Sequence, residues 1–328
     1  MTTTATQRRN AYLAWAAVCL IWGTTYLGIK IALETVPPFI LGGLRFTGAG
    51  LVLALVRLLQ GKRMPDARGL LDAAIAGALL LGMGNGGVVW AEQFVPSGLA
   101  AVLVAAVAFW MVGVEALAPG GERLTTRSVI GLLVGFAGIV FLVWPDLHMT
   151  GAAGWTFALG VIALQLACFG WALGSSYARR HRSADADLIT TSAFQMFFGG
   201  AVMLVAATFT GEWSHIAFNP RTGSALFYLF AVGSLMGFVA YIYALGHLTT
   251  SFVSLYAYVN PVVAVLLGSL ILDEPFGWRL VVSVAIILAG ITIVTRKGTG
   301  GARQPAPAPS PSSSTGETTA ARKSVSAA

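Results

Sequence analysis

One stretch decides how this chain folds: SFVSLYAYVNPVVAVLLGSLILDEPFGWRLVVSVAIILAGITIVT, residues 251–295. Two apolar segments, each of about 20 residues, flank an acidic turn at Asp273-Glu274-Pro275. At about 1.5 Å per residue, a helix of that length crosses a hydrocarbon core of about 30 Å. Asn260-Pro261 interrupts the first segment, and Gly290 lies deep in the second. The pattern is typical of a helical hairpin in a membrane.

The same hairpin occurs earlier in the chain. When the sequence is shifted by 152 positions, six residues meet identical ones: Glu274, Arg279, Val281, Ala289, Gly290 and Ile291 meet Glu122, Arg127, Val129, Ala137, Gly138 and Ile139. Shifts of 151 and 149 positions extend the match: Gly233 and Gly237 meet Gly82 and Gly86, and Cys168 and Trp171 meet Cys19 and Trp22. Internal repetition of this kind determines the architecture. The chain is therefore predicted to be two copies of one five-segment unit.

The composition indicates that lipid is the solvent. The 328 residues are 56% hydrophobic and only 10% charged, and the mean hydropathy is +0.78. Soluble domains carry about 25% charged residues. Long apolar runs that tolerate glycine predict helices and not a barrel, because the backbone must be hydrogen-bonded within each segment. The pI of about 9.7 does not indicate a nucleic-acid partner, since the basic residues are scattered between apolar segments and form no patch.

These observations predict an all-α polytopic membrane protein with ten transmembrane helices. The predicted spans are 11–31, 38–58, 70–90, 97–117, 127–144, 153–176, 190–209, 222–244, 251–271 and 278–295. The first five-helix repeat covers 11–144 and the second covers 153–295, after a polar N-terminal segment at 1–10 that we expect to be retained. Residues 298–328 are rich in Gly, Pro, Ser, Thr and Ala and are predicted to be a disordered tail.

The distribution of Lys and Arg predicts the orientation, because cytoplasmic loops carry an excess of these residues. With a cytoplasmic N-terminus, most basic residues lie inside: Arg8, Arg9, Arg57, Lys62, Arg63, Arg68, Arg123, Arg127, Arg179, Arg180, Arg182, Arg296, Lys297, Arg303, Arg322 and Lys323. Only Lys30, Arg221 and Arg279 lie outside. Ten spans return the C-terminus to the cytoplasm, which predicts a multi-pass protein of the cell (inner or plasma) membrane. A unit with an odd number of spans also gives the halves opposite orientations, and the result is an inverted repeat.

Several residues follow a known pattern: Trp22-Gly23 in the first span, Pro38 and Arg45 in the second, and Asn260-Pro261, Glu274 and Gly290 near the end. Over about residues 11–296, the chain resembles the ten-helix exporters of the EamA-type family in the drug/metabolite transporter superfamily. The resemblance implies export of small metabolites, often amino acids or their analogues. One departure is Val107-Ala108-Phe109 in the fourth helix, where that family usually has a proline. We therefore expect the fourth helix to bend less than the ninth.

Aromatic and amide side chains at membrane depth are the candidates for a substrate site. One face of the first helix carries Trp15, Cys19, Trp22 and Tyr26, and their repeat partners are Leu164, Cys168, Trp171 and Ser175. Amides at this depth need partners, which are either a polar substrate or a neighbouring helix. The predicted substrate-binding residues are Trp22, Tyr26, Asn85, Trp90, Trp110, Gln165, Trp171, Tyr241, Tyr256 and Asn260. For Trp90 and Tyr241, a place in the aromatic belts is an equal alternative.

Arg45 lies about two turns into the second helix, where a charge is costly and indicates a function. It either binds an anionic group such as a carboxylate or belongs to an ion-pair cluster with Lys30 and Glu34. The glycine-rich run from Gly82 to Gly87 is either a flexible gate or, by the commoner explanation, a packing surface.

The acidic residues also have alternative roles. Glu115 either carries a coupling proton or lies at a solvated helix end, and Glu92 is expected to be solvated in the same way. Glu122 and Glu274 are expected to cap the helices that follow them, where a negative charge meets the positive end of the helix dipole.

The symmetry favours a secondary transporter that exports small metabolites, above all amino acids or related amphipathic solutes, by alternating access between two inverted repeats. Drugs, sugars or polyamines are alternative substrates, and a membrane-embedded sensor or scaffold is an alternative function. An enzyme is not indicated, because the spans contain no HExxH, no GxSxG and no paired aspartates. No cofactor or metal is expected. The expected partners are the solute and the lipid bilayer, and a coupling proton is left open.

Overall fold

The computed structural model describes residues 5–119, 125–147, 152–181, 187–248, 250–253 and 255–295. Within these ranges the chain is helical with short connections, and no strand is found. The first five helices are α1 (Ala5–Ala32), α2 (Pro38–Leu59), α3 (Ala67–Ala91), α4 (Ser97–Leu117) and α5 (Thr126–Leu147). The second five are α6 (Ala152–Arg180), α7 (Leu188–Phe209), α8 (Pro220–Tyr228, Leu229–Met236 and Gly237–His247 in succession), α9 (Tyr256–Leu272) and α10 (Trp278–Thr295).

Among the described residues, eight helices, α1 to α8, are long and apolar enough to cross a membrane. The apolar parts of α9 and α10 are shorter, at Val259–Leu272 and Trp278–Ile293. The predicted all-α membrane architecture is therefore confirmed, and eight of the ten predicted spans have the length expected of a transmembrane helix. The predicted tail at 298–328 and the predicted cap Glu122 lie outside the described residues.

Three helix ends differ from the prediction by four residues or more. α1 begins at Ala5 and not at residue 11, so polar residues extend the helix before its apolar part. α6 continues to Arg180, beyond the predicted end at 176. α9 begins at Tyr256, and the preceding Thr250–Val253 forms a separate short turn of helix.

α3 and α8 each contain a π-helical stretch, Ala78–Asn85 and Leu229–Met236. Both ends of these stretches differ by 151 positions, so the two stretches occupy the same place in the two predicted repeats. An added Cβ at Gly82 would lie 3.1 Å from Val202 of α7, and one at Gly86 would lie 3.3 Å from Met203. The glycine-rich run therefore packs against α7, which supports the packing explanation for it.

α4 is interrupted at Ala105-Ala106 although it contains no proline, and that it bends less than α9 stays a prediction. A neighbouring helix contacts the backbone at this place. The thiol of Cys168 in α6 donates weakly to the carbonyl of Val104 at 3.6 Å, beside the interruption. In the same way, the indole of Trp15 in α1 donates at 3.2 Å to the carbonyl of Val253, just before α9. A side chain from the other half thus supports the backbone at each break.

Glycines bring the halves into close contact at two crossings. An added Cβ on Gly200 of α7 would lie 2.3 Å from the backbone nitrogen of Thr47 in α2. An added Cβ on Gly290 of α10 would lie 2.6 Å from the backbone nitrogen of Gly135 in α5. Small residues at such crossings let two helix backbones approach each other in a membrane.

The first helix of each half packs against the other half. α1 contacts α8 and α9, and α6 contacts α3 and α4. The largest buried apolar cluster also combines both halves, with Phe109 of α4, Leu164 of α6 and Ile287 of α10 among its members. The faces of α1 and α6 that make these contacts consequently lie between the halves, inside the protein.

Carboxylates of one half cap helices of the other. Glu274, after α9, accepts hydrogen bonds from the backbone nitrogens of Ser97 (2.6 Å) and Gly98 (2.9 Å) at the start of α4. This corrects the expectation that Glu274 caps the following helix, α10. Gly268 makes the contact possible, because an added Cβ there would lie 2.4 Å from the Glu274 carboxylate. Glu212, after α7, likewise accepts hydrogen bonds from the first backbone nitrogens of α2 at 2.9 and 3.0 Å.

Asp187 joins the end of α2 to the start of α7. Its carboxylate accepts a hydrogen bond from the backbone nitrogen of Thr190 at 2.9 Å and pairs with Arg57 at 2.7 Å. Burial by itself would raise the pKa of Asp187, but the hydrogen bonds from Thr190 and the charge of Arg57 outweigh it and hold that pKa below its usual value.

We expect Gly200→Ala to destabilise the protein, because the added methyl group overlaps backbone atoms of α2. Overpacking a filled interior costs about 1–3 kcal/mol. Thermal unfolding of the purified protein in detergent measures the effect. Gly113→Ala in α4 is the matched control, since an added Cβ there meets nothing within 4 Å. If the two variants melted at the same temperature, the close contact between α2 and α7 would be contradicted.

We expect acid to weaken the fold partly through Asp187. A carboxyl group whose pKa is lowered in the folded state stabilises the fold above its unfolded-state pKa, and the contribution is lost as the pH falls through the folded-state value. The melting temperature should therefore fall from about pH 6 to about pH 3, and Asp187→Asn should be less stable at the higher pH and show a shallower decrease. Asp273→Asn is the control, since its position (φ 52°) also suits asparagine. Equal slopes for wild type and Asp187→Asn would refute this.

Candidate functional site

A cavity of about 500 Å³ lies between the two halves. Its described lining comes from α1, α2, α3 and α4 of the first half and from α6, α7, α8 and α9 of the second. Seven of the predicted substrate-binding residues line it: Trp22, Tyr26, Asn85, Trp171, Tyr241, Tyr256 and Asn260. The volume lies in the range of small-molecule sites.

Three aromatic side chains, Trp22, Tyr241 and Tyr256, form one side of the cavity, which we call the aromatic wall. The ring of Trp22 lies 5.1 Å from that of Tyr241 and 4.9 Å from that of Tyr256, measured between centroids. The indole nitrogen of Trp22 donates to the carbonyl of Gly233 at 3.2 Å. Gly237 makes room for the ring, because an added Cβ would lie 2.7 Å from the indole nitrogen. These contacts fix Trp22, so the aromatic wall is preformed.

Trp171 holds the equivalent position in the second half, 149 positions after Trp22. An added Cβ at Gly84 would lie 3.2 Å from the Trp171 ring. Trp171 of α6 therefore packs on the π-helical stretch of α3, as Trp22 of α1 packs on that of α8. Asn85, the last residue of the α3 stretch, lines the same cavity.

Asn260 is buried where α9 meets α1. With the amide oriented toward its acceptors, its nitrogen donates to the carbonyls of Tyr256 and Cys19, each at 3.1 Å. Asn260 thus bonds to a neighbouring helix, which was the alternative to bonding a polar substrate. The following Pro261 has no N–H, so the carbonyl of Ala257 loses its usual helical donor, and both residues line the cavity.

Arg45 is the one charged residue among the described residues that line the cavity. It is only 5% exposed. Its Nε donates to the Ser234 hydroxyl of α8 at 2.8 Å, and its guanidinium carbon lies 4.5 Å from the centroid of the Phe46 ring. Its Nη1 is buried with no hydrogen-bond partner among the described residues.

The predicted cluster of Arg45 with Lys30 and Glu34 is not formed. Glu34 pairs with Arg221 at 3.0 Å. The ammonium of Lys30 donates to the backbone carbonyls of Glu92 (2.5 Å) and Val95 (3.3 Å). The reason is that the end of α1 faces the connection between α3 and α4, whereas Arg45 faces α8.

Glu92 is fully buried, which corrects the prediction of a solvated helix end. Neither of its carboxylate oxygens has a hydrogen-bond partner among the described residues. The ammonium of Lys30 lies beside it, bonded to the backbone carbonyl of Glu92 at 2.5 Å. The connection after α3 turns against the end of α1, and this tertiary contact leaves no trace in the local sequence.

Glu115 forms ion pairs. From the sequence it was expected either to carry a coupling proton or to lie at a solvated helix end. It pairs with Arg180 at 3.1 Å and with Arg179, and it accepts a hydrogen bond from the Ser176 hydroxyl at 2.5 Å. These contacts join the end of α4 to the end of α6 and account for the extension of α6 to Arg180.

Three predicted site residues lie outside the cavity lining. The indole of Trp110 donates to the Gln165 side-chain oxygen at 3.0 Å, so the two residues join α4 to α6. Trp90 packs edge-on against Phe94 at 5.0 Å between centroids. Trp90 thus lies outside the described lining, whereas Tyr241, at the matching place after the π-helical stretch of α8, lines the cavity.

Thr25, Ser192 and Ser234 line the cavity but were not predicted. Small hydroxyl side chains give no distinctive signal, because in helices they also bond to the preceding turn. Thr25 does so, donating to the carbonyl of Trp22 at 2.7 Å. Gln195 also lines the cavity, and its signal was an amide at membrane depth, although it was not among the predicted substrate-binding residues.

Comparison with known proteins gives consistent matches along the chain. The sequence profile of the EamA-like transporter family matches residues 9–144 and 158–296. The uncharacterized inner membrane transporter YedA of Escherichia coli (strain K12) is 35% identical over 280 residues, which are 85% of this chain and 88% of that protein. The uncharacterized transporter YvbV of Bacillus subtilis (strain 168) is 26% identical over 292 residues, 87% of this chain and 91% of that protein. Protein PecM of Dickeya dadantii (strain 3937) is 26% identical over 283 residues, 86% of this chain and 90% of that protein.

A crystal structure that is 23% identical in sequence superposes with a TM-score of 0.59, over 87% of this chain and 96% of the other. At this identity the likeness shows a common fold. The family match covers both halves, and the helices that it covers surround the cavity. The protein is therefore a multi-pass membrane protein that belongs to the EamA-like transporter family.

Proposed function

We propose that the protein is a secondary transporter that exports small amphipathic metabolites, amino acids among them, by alternating access. The observation that carries the proposal is the cavity at the junction of the halves, lined by residues that the repeat relates to each other. Trp22 and Trp171 are one such pair, and Tyr26 and Ser175 are another, each 149 positions apart. In transporters built from inverted repeats, the substrate site lies at this junction.

The contacts between α5 and α10 support an inverted arrangement of the halves. Arg127, at the start of α5, donates to the carbonyl of Ile293 near the end of α10 at 3.0 Å. Its repeat partner Arg279, 152 positions later, donates to the carbonyl of Phe141 in α5 at 3.5 Å. The two helices run antiparallel. The contact of Arg127 with α10 therefore has its counterpart in the contact of Arg279 with α5. We infer that a pseudo-two-fold axis in the membrane plane relates the halves.

The position of the cavity supports cytoplasmic termini and a state that faces the cytoplasm. Its lining extends to Ala178 near the end of α6 and to Leu188 at the start of α7. Arg57, Arg179 and Arg180 lie at the same end, which the positive-inside rule assigns to the cytoplasm. A solute to be exported would enter the cavity from this side.

The lining favours amphipathic solutes. It combines the aromatic wall with amides and hydroxyls that accept or donate hydrogen bonds, including Asn85, Ser192 and Gln195. The described lining residues include no Asp or Glu, which disfavours polyamines among the alternative substrates.

A coupling proton remains a prediction. We propose that Glu92 carries this proton in place of Glu115. Glu92 is buried, and none of the ion pairs of the described residues includes it.

We expect Trp171→Ala and Asn260→Ala to abolish counterflow in proteoliposomes, because one removes a wall of the cavity and the other loosens α9 from α1. Vesicles are loaded with single unlabelled amino acids or related metabolites, and uptake of the labelled counterpart is followed. Trp155→Ala is the matched control, since Trp155 lies on the same helix as Trp171, is 65% exposed and is not a lining residue.

Saturable uptake of a few solutes by wild type and Trp155→Ala, lost in both cavity variants, would support the proposal. Normal transport by both cavity variants would show that the substrate site is elsewhere. If correctly inserted wild-type protein moved none of the solutes, the proposal of amino acid export would be rejected.

A further inference from the structure

We propose that the cavity recognises a carboxylate and that Arg45 binds it. The solute would be an amphipathic organic acid or amino acid whose carboxylate meets Arg45 while its apolar body lies against the aromatic wall. The inference rests on the proposed transport function and narrows its substrate class.

The guanidinium of Arg45 is held in a fixed position by α8. Ser234 accepts its Nε–H at 2.8 Å. The neighbouring Gly233 leaves space for it, because an added Cβ would lie 3.3 Å from Nη2 of Arg45. Both residues belong to the π-helical stretch of α8, whose carbonyl at Gly233 also holds Trp22. The cation and the aromatic wall are therefore positioned by the same segment, and a solute finds both in place before it binds.

The guanidinium is also incompletely satisfied. Nη1 of Arg45 is buried without a partner among the described residues. A buried cationic N–H without an acceptor is costly, and such groups are almost always paired in native structures. A carboxylate offers two oxygens in a plane, which matches the fork of a guanidinium. The bound solute is thus the partner that the protein itself does not supply.

The charges around Arg45 leave the cavity positive. The described lining residues contain no carboxylate. No ion pair among the described residues joins Glu92 to Arg45, and the ammonium of Lys30 lies at the backbone carbonyl of Glu92, 2.5 Å away. The Glu274 carboxylate is occupied by the backbone of α4. An anionic group is therefore favoured at Arg45, and a cation is not.

Only the first half places a charged residue at this position of the cavity. The partner of Arg45, 150 positions later, is Gln195, and both line the cavity. Phe46 and Met196, one position further on, also both line it. The first half thus offers a cation where the second offers a neutral amide. A solute with its charge at one end would consequently bind in one orientation.

The first test compares ligands that match in shape but differ in charge. Binding of 3-phenylpropanoate, its primary amide, L-phenylalanine, 2-phenylethylamine and 4-methylpentanoate to the full-length protein in detergent is measured by titration calorimetry. We expect carboxylates to bind at least tenfold more tightly than the amide and the amine, which is the scale of a charge-assisted hydrogen bond. A preference between L-phenylalanine and 3-phenylpropanoate would identify the carboxylate as that of an amino acid or of a simple acid. Equal binding of acid and amide, or no binding of any carboxylate, would overturn the proposal.

The second test changes the protein. Arg45→Gln should weaken binding of the carboxylate at least tenfold and change binding of the amide less than twofold. Arg45→Lys should keep part of the affinity, because it retains the charge without the planar fork. Arg279→Gln, which replaces an arginine outside the lining, is the control and should bind as wild type does. If Arg45→Gln weakened acid and amide equally, Arg45 would be a structural residue and the inference would fail. The comparison of ligands on wild type decides the question if Arg45→Gln does not fold.

The two proposals fail in different ways. Carboxylate-selective binding in detergent without counterflow of the same solutes in proteoliposomes would uphold the role of Arg45 and reject transport. Counterflow that proceeds equally well with the acid and its amide would uphold transport and reject the role of Arg45.

Discussion

Every backbone polar group in a membrane must find its hydrogen bond within the protein, and this constraint governs where the helices can break. The irregular parts of α3, α4, α8 and α9 all border the cavity. Those of α4, α8 and α9 have a hydrogen-bond partner in the other half. Cys168 bonds to α4, Trp22 bonds to the π-helical stretch of α8, and Asn260 of α9 bonds to α1. The cavity is the region where irregular backbone is permitted, so the site and the breaks have the same physical origin.

The helices that do not line the cavity have a different role. α5 and α10 contribute no described residue to the lining, and they contact each other closely through Gly290. In lipid, apolar surfaces gain little by association, so close backbone contact supplies much of the attraction between helices. The pair α5 and α10 therefore packs together beside the cavity and contacts α4 and α6 of the cavity helices. The crossing of α2 and α7 at Gly200 joins the halves in the same manner.

Charges in this protein serve three purposes that composition alone does not distinguish. Glu274 and Glu212 cap helix starts across the junction of the halves. Glu115 holds the end of α6. Arg45 faces the cavity, and Glu92 is buried beside Lys30. Glu274 and Glu115 were recognised in the sequence, but their partners were not, because those partners lie on segments distant in sequence, and Glu212 was not recognised at all.

Apolar length, repeated residues and helical spacing are properties of the chain itself. They were sufficient to predict an all-helical membrane protein, the position of most helices and seven residues of the cavity lining, because the face shared by Trp22 and Tyr26 follows from regular helical geometry. Trp90, by contrast, packs against Phe94 outside the described lining, a contact that helical spacing alone does not predict.

Hydropathy and spacing along the chain were enough to indicate lipid as the solvent, the helices and the repeated sequence. They did not indicate which polar groups meet: Glu274 with α4, Lys30 with the carbonyl of Glu92, and Arg45 with Ser234. The physical reason is that a hydrogen bond or an ion pair depends on distances of about 3 Å between atoms. Such distances are set by how ten helices pack together, and no single helix encodes them.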